Sequence, residues 1–501
     1  MKKGLIIVQW NWIWEKIDSD FLEVVYLLKL NKIVKNYLYN VSYQIIVNLM
    51  PLITIPYLTR VLGASNLGIE RYIESIATMF TTFGLLGLVW YSNRAIAYVR
   101  NDEKKLKKCF IEIFLMRVIL LLVTLCVYLV GYRKSDYFNY YCIFIVYIVG
   151  SFVDTYWFFS GIEDMKSVVS CNYIVKFTYT ILLFVLVRKP SDINTFIWLT
   201  SGANLVSALI LLIKVKRYFG CFQIKGINVW QHFGPSLSLF LPQAASQLYV
   251  QCDKVMIKNL VDDISQVSFY TENERIVKTP IILATALTTV LMPRIANEFA
   301  VGNRENIKKY IRKAFLCILV VLLPCCAGLI SVAPSFVPLY LGEEFRNTYN
   351  IMIMLCPCMV FIGLSGVTGI QYLVALNRIK ELTISYIVAA STNIVLNYIF
   401  IPKLGGAGAA IGTVTAEALV FIIQYYFVRK ELGSLIEKKV LCYLVIWTIL
   451  MGICVWNIGL LINKVLLRLI IQVCIGCVWY FAGILLYYKR YRKDLNAFYG
   501  L

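Results

Sequence analysis

The stretch KKLKKCFIEIFLMRVILLLVTLCVYLVG (104–131) opens on four lysines and then runs for 23 residues with only Glu112 and Arg117 charged. A bilayer core about 30 Å thick is crossed by ~20 residues rising 1.5 Å each, so 109–131 is long enough to span a membrane as one helix. It lacks the polar alternation of a barrel strand. A backbone in lipid must also satisfy its own hydrogen bonds, which a helix does and an open strand does not. This stretch therefore reads as a transmembrane helix entered from a basic, aqueous face.

The same pattern recurs on either side, with apolar runs near 37–58, 72–92, 139–160, 168–187, 194–213, 235–257, 279–299, 314–333, 351–376, 382–401, 407–428, 440–460 and 465–488. Together with 109–131 they predict an all-α, polytopic membrane protein of about fourteen spans. Composition agrees: 60% of the 501 residues are hydrophobic, 15% are charged and mean hydropathy is +0.72, against roughly 45–50% apolar in soluble domains. The breaks between runs are too short to house a separate catalytic domain.

Net charge is +21, which in a soluble chain would suggest nucleic acid. Mapped onto alternate breaks, 33 of the 49 Lys and Arg fall on one side and 13 on the other, with Arg117, Lys176 and Lys254 inside runs. That is the positive-inside pattern, and it predicts that both termini are cytoplasmic. The basicity is thus mostly topology, with some attraction for anionic lipid headgroups, and nucleic acid is not an expected partner.

Residue types exclude several chemistries. The single histidine, His232, cannot supply a His-rich metal site or a Ser-His-Asp triad, and no phosphate-binding P-loop, G-x-G-x-x-G or H-E-x-x-H occurs. Most of the 15 cysteines lie in apolar runs, where cysteine behaves as a small hydrophobe. Cys474 and Cys477 form a C-x-x-C within such a run, with no histidine or carboxylate nearby. No metal, cofactor or enzymatic activity is expected. Residues 1–35 begin MKKGLIIVQWNWIW, too broken by Gln9, Asn11 and Glu15 for a signal peptide. They read as a dispensable cytoplasmic or interfacial extension.

Ionisable groups inside spans are costly in lipid and point to function or to pairing between helices. Lys176 lies nine residues into VVSCNYIVKFTYTILLFVLV, close to the bilayer centre; Arg117, Asp154 and Glu417 also lie within runs, with Glu112 near enough in sequence to Arg117 to neutralise it partly. In YVQCDKVMIKNL, Asp253 and Lys254 project about 100° apart and do not cancel, while Lys254 and Lys258 share a face. In TENERIVKTP, Glu274 is spaced to pair with Lys278, and Arg275 stands beside them. Prolines 51, 56, 242, 324 and 357 near span middles predict kinks beside these charges.

The segments LYNVSYQIIVNLMPLITIPYLTRVLGASNLG (38–68), LGLVWYSNRAIAYVR (86–100), WFFSGIEDMK (157–166), LPQAASQLYVQCDKVMI (241–257), VSFYTENERIVKTP (267–280), LMPRIA (291–296) and IPKLGGAGAAIGTVTAE (401–417) resemble those of Wzx-type polysaccharide flippases. These belong to the superfamily that also holds multidrug and toxin extruders and lipid II flippases. The resemblance covers residue 36 to the C-terminal helices. It implies two pseudo-symmetric six-helix lobes, 36–217 and 226–430, then a helix pair, 440–488, and a cytoplasmic tail, 489–501. A faint repeat agrees with this, since LGIERYIESI (67–76) aligned on VSFYTENERI (267–276) matches Glu74 with Glu274.

The resemblance further implies the substrate, an oligosaccharide repeat unit on undecaprenyl diphosphate, moved from the cytoplasmic to the external leaflet of a bacterial inner membrane for O-antigen, capsule or exopolysaccharide synthesis. A polymerase and a chain-length regulator of the same pathway are the implied protein partners. Flipping requires a wet, cationic cavity for the diphosphate while the chain stays in lipid. Lys176, Arg117, Lys254, Arg275 and Lys278 are the expected headgroup cations, and Asp253, Glu417 and Asp154 the expected sites of a coupling proton or cation. A multidrug extruder of this fold would favour an acidic cavity for cationic drugs; a lipid II flippase is not separable from the sequence. A membrane polymerase or acyltransferase calls for a large external loop or a His/Asp pair, and neither is in the chain.

Overall fold

The computed structural model describes residues 32–219, 226–289, 295, 298–299 and 301–499; of the extension 1–35, residues 1–31 lie outside them and 32–35 begin the first helix. The described chain is helical, with no strand among the described residues. In order, the long helices are α1 (Lys32–Val61), α2 (Gly63–Gly84), α3 (Leu88–Val99), α4 (Glu103–Tyr132), α5 (Phe138–Val153), the short α6 (Tyr156–Gly161), α7 (Met165–Leu186) and α8 (Ile193–Val215). There follow α9 (Phe233–Leu260), α10 (Ser265–Thr289), α11 (Arg304–Leu341), α12 (Tyr349–Ser365, continued as a π-helical turn Gly366–Val374), α13 (Ile379–Leu404), α14 (Gly406–Leu432), α15 (Lys438–Leu461) and α16 (Val465–Tyr499).

Among the described residues, ten helical stretches are long and apolar enough to cross a membrane, eleven when α2 and α3, bent 47° at their junction, count as one span. The expected spans not among them are 37–58, 235–257 and 279–299, the last described only through Thr289 and at three residues beyond it. Helix α9 carries Asp253 and Lys254 within its expected span, and both meet polar partners in the interior.

Local sequence explains several boundaries. Asp102 caps α4 by accepting from Lys105 N (3.1 Å), Asp164 caps α7 through Ser167 N (3.3 Å), and Asn303 caps α11 through Asn306 N (3.2 Å). The α2–α3 bend is made by Leu86 (φ +46°) and Gly87 (φ +84°). A side chain at Gly87 would run into the carbonyl oxygen of Ser236, whose own hydroxyl donates to Leu86 O at 2.5 Å, so the bend and the start of α9 are built together.

Helices α5, α7 and α8 pack as one group with α1, α2 and α4, while α9 through α14 pack on one another, and α15 and α16 lie against α11. Helix α2 joins the groups, packing on both α9 and α10. The burial pattern is inverted relative to a soluble protein. Leu122, Val123, Val127 and Val130 of α4 and Val395, Tyr398 and Ile399 of α13 are exposed, whereas Glu70, Glu272, Asn393, Asn397 and Gln424 are buried. Lipid is the solvent for the outer faces, and the polar residues must find partners inside.

Candidate functional site

A cavity of about 610 Å³ lies between α1, α2, α5, α7 and α8 on one side and α9 and α10 on the other. Its charged lining residues are Arg71, Glu74, Lys176, Lys254, Glu274, Arg275 and Lys278, with Tyr147, Tyr179, Asn172, Asn204 and Thr180 among the polar ones. Four of the five expected headgroup cations therefore come together in one place.

The charges form a linked network across the two groups of helices. On α2, Arg71 Nη1 donates to Glu70 Oε2 (2.7 Å) and lies 3.5 Å from Glu74 Oε2, while its Nε donates to Glu272 Oε1 on α10 at 2.8 Å. Arg275 Nη2 returns the contact from α10 to Glu74 Oε2 at 3.1 Å. Lys278 Nζ donates to Glu274 Oε1 at 2.6 Å, the pairing expected from their spacing, and Lys254 Nζ stands 3.9 Å from Glu274 Oε2. Lys176 differs: its ammonium lies 6.0 Å from the centre of the Tyr179 ring, and no ion-pair partner reaches it among the described residues. Counting Glu70 and Glu272 behind the wall, five cations meet four carboxylates, so the site keeps an excess positive charge centred on Lys176 and Lys254. An anion with several oxygens can enter by taking shares of these cations without leaving a bare charge.

Arg117 is not part of this cavity. It donates from Nε to Phe152 O and from Nη2 to Ser151 O, both at 2.8 Å, and its guanidinium lies 5.8 Å from the Trp157 ring. It satisfies the last carbonyls of α5, a helix-terminal role that an in-span cation can fill as readily as ligand binding. Glu112, expected to neutralise it, is instead occupied by Asn228 N (2.8 Å), Gln231 Nε2 (2.6 Å) and His232 Nε2 (3.2 Å), and His232 Nδ1 meets Tyr91 OH at 2.7 Å. Asp154 ends α5, accepting from Tyr156 N at 3.1 Å while its carbonyl accepts from Trp157 Nε1 at 2.9 Å. It shapes the α5–α6 turn and does not pair with Lys176.

Asp253 faces away from Lys254, as their adjacency requires. Its carboxylate is 1% exposed and accepts three hydrogen bonds: Asn397 Nδ2 (2.6 Å), Tyr270 OH (2.7 Å) and Thr413 Oγ1 (2.7 Å). No cation pairs with it among the described residues, so a buried negative charge is met only by neutral groups. Glu417 is also buried, beside Tyr249 and within electrostatic reach of Lys278.

Arg71, Glu70 and Glu272 escaped the sequence reading. Arg71 falls just before the apolar run 72–92, but α2 begins at Gly63 and carries it inward. The available signal was the E-R-Y-I-E spacing of residues 70–74, which places two carboxylates one turn apart around an arginine.

Fold and cavity define a class: a polytopic transporter whose two groups of helices enclose a charged, net-positive chamber. Comparison with known proteins agrees. The family described as Polysaccharide biosynthesis protein matches residues 33–299, and that described as Lipid II flippase MurJ matches residues 203–471. A putative O-antigen transporter of Escherichia coli (strain K12) is 25% identical over 402 residues, covering 78% of this chain and 96% of the relative; one of Shigella dysenteriae is 23% identical over 389 residues, covering 76% and 96%. Among solved structures, the inward closed conformation of lipid II flippase MurJ superposes with a TM-score of 0.67 at 16% identity over 90% of this chain and 99% of that one. An inward-facing multidrug MATE transporter gives 0.55 at 16% identity over 77% and 98%.

The chain belongs to the polysaccharide biosynthesis protein family, and within it to the Wzx-type flippases.

Proposed function

We propose that this flippase carries an oligosaccharide repeat unit on undecaprenyl diphosphate from the cytoplasmic to the external leaflet of the inner membrane by alternating access, with no catalytic step of its own. The observation that supports this reading is the cavity itself: Lys176 has no ion-pair partner among the described residues and Lys254 shares Glu274 with Lys278, on a wall of tyrosines and amides. A diphosphate takes the cations, sugar hydroxyls take the amides and rings, and the lipid chain stays outside. A cavity built for cationic drugs would invert this charge.

In the same reading the chain crosses fourteen times, α1, α9 and α10 being spans as well, in two lobes, 36–217 and 226–430, followed by 440–488, with both termini cytoplasmic. Asp253, held only by neutral donors, is the coupling site for a proton or small cation, and Glu417 a second position on its way. A polymerase and a chain-length regulator receive the product outside.

The test is a headgroup-resolved lipid analysis of cells lacking the protein. Lipid-linked repeat units should accumulate on the cytoplasmic leaflet and surface glycan should disappear. A normal lipid profile with intact surface glycan would defeat the reading. The match to lipid II flippases over 203–471 supports a second substrate with the same diphosphate. Complementation of cells depleted of their lipid II flippase separates the two.

A further inference from the structure

Helix α14 carries Thr413, Glu417, Gln424 and Glu431 at spacings of four, seven and seven, which places all four on one face. That face turns inward, and other helices meet it with polar groups along its length. At one end Thr413 touches Asp253 and Tyr270, both on the far side of α9 and α10 from the cavity. Glu417 follows, beside Tyr249 and Tyr386. One turn or two further on, Gln424 Oε1 accepts from Thr368 Oγ1 (2.7 Å) and Nε2 donates to Ser385 Oγ (3.2 Å). At the other end Glu431 accepts from Tyr372 OH and Arg378 Nη1, both at 2.6 Å.

Thr368 and Tyr372 lie in the π-helical stretch Gly366–Val374, a widened turn found frequently at functional sites. Two glycines let the polar groups of neighbouring helices approach this face closely: a side chain at Gly412 would strike Asn397 Oδ1, and one at Gly369 would press on the Gln424 amide. Two buried polar atoms beside Gly412 on this face, Asn397 Oδ1 and Asn393 Nδ2, have no protein partner among the described residues. Such atoms call for water or an ion.

We propose that this face is the route by which a small monovalent cation, proton or sodium, passes between Asp253 and the cytoplasmic surface at Glu431, apart from the substrate cavity. This rests on the coupling role given to Asp253 above. The alternative exit, through the cavity, would take the cation past Lys254, Lys278 and Arg275; the α14 face offers neutral oxygens and carboxylates, with Lys278 within electrostatic reach of Glu417 and Arg378 paired to Glu431 at its end. Separation also lets an anionic headgroup and its coupling cation occupy the protein together.

The test uses the full chain in liposomes, with trapped pH-sensitive or sodium-sensitive dye and either gradient imposed alone, which identifies the ion. Gln424→Leu and Thr368→Val should each slow cation entry, by about tenfold for Gln424→Leu, the equivalent of one lost hydrogen-bond step, while Gln424→Glu keeps most of it. Wild-type cation rates in both Gln424→Leu and Thr368→Val at normal protein level would overturn the route. Radiolytic footprinting of the wild-type protein gives a measurement independent of folding of the variants: Tyr249, Tyr386 and Tyr372 should be oxidised by enclosed water, and their full protection would also overturn it. A wild-type protein that moves lipid-linked glycan yet passes neither cation would instead remove the coupling role of Asp253.

Discussion

Lys176 sits over a tyrosine ring with no carboxylate at ion-pair distance among the described residues, in a helix whose neighbouring residues Ile174, Phe177 and Ile181 are exposed. An ammonium at the centre of a bilayer costs roughly 2.5–3.5 kcal/mol on insertion scales, so its presence requires water or a ligand. Lys176→Ala should leave the protein folded and inserted, since no partner is orphaned, but should cause lipid-linked repeat units to build up on the cytoplasmic leaflet. Lys176→Arg should retain part of the export, because charge is kept and shape is not. The readout is surface glycan and lipid-linked intermediate per unit of membrane protein. Arg71 should behave oppositely. Glu272→Ala leaves a buried guanidinium short of its partner on α10, which costs about 3–5 kcal/mol, so thermal stability should fall along with transport. At this scale the sequence made Lys176, Lys254, Arg275 and Lys278 visible because each interrupts or borders an apolar run. It misassigned Arg117, since a run-breaking cation looks the same whether it binds a ligand or caps carbonyls as Arg117 does at Ser151 and Phe152.

Helices were legible as apolar cores and much less as helices. The run 314–333 lies inside an α11 that extends from Arg304 to Leu341, and the run 72–92 straddles the bend between α2 and α3. Hydropathy reports what lipid touches; it is silent on turns that continue into water or bend around Gly87. Two predictions belong here. Gly87→Val should lower stability and abundance, because the left-handed backbone excludes a branched side chain and the Ser236 carbonyl occupies its place. Asp164, outside the membrane, is held below the usual carboxylate range by hydrogen bonds from Ser167 and Tyr218 and the nearby Lys214, which outweigh its partial burial. A depressed pKa stabilises the fold above the unfolded-state value near 3.8, and that contribution is lost as pH falls through the lower folded value. Asp164→Ala should therefore lower the melting temperature at neutral pH, by an amount corresponding to about 1 kcal/mol for a lost cap, with the difference from wild type shrinking in strong acid.

On the scale of the molecule, the two groups of helices are clasped at one end. Arg60 donates to Tyr340 O (2.9 Å) and Leu339 O (2.5 Å), Glu344 accepts from Ala64 N (3.0 Å), and Ser268 donates to Ala64 O (2.7 Å). In the proposed topology that end is outside, and release of substrate would require these contacts to break. Topology is open to a direct check: reporters fused after Lys108, Lys313 and Leu501 should read cytoplasmic, and one after Asp263 external. None of the clasp was legible in the sequence, because it joins residues 204 to 280 positions apart through main-chain groups, which carry no signature in the side-chain pattern. The most direct measurement of the whole scheme is translocation by the purified protein in liposomes loaded with fluorescent undecaprenyl-diphosphate oligosaccharide, followed by a membrane-impermeant quencher or lectin. Wild-type protein should move the headgroup across the bilayer and Lys176→Ala should not, at equal reconstitution. Translocation by Lys176→Ala at the wild-type rate, or none by the wild type under either a proton or a sodium gradient, would contradict it.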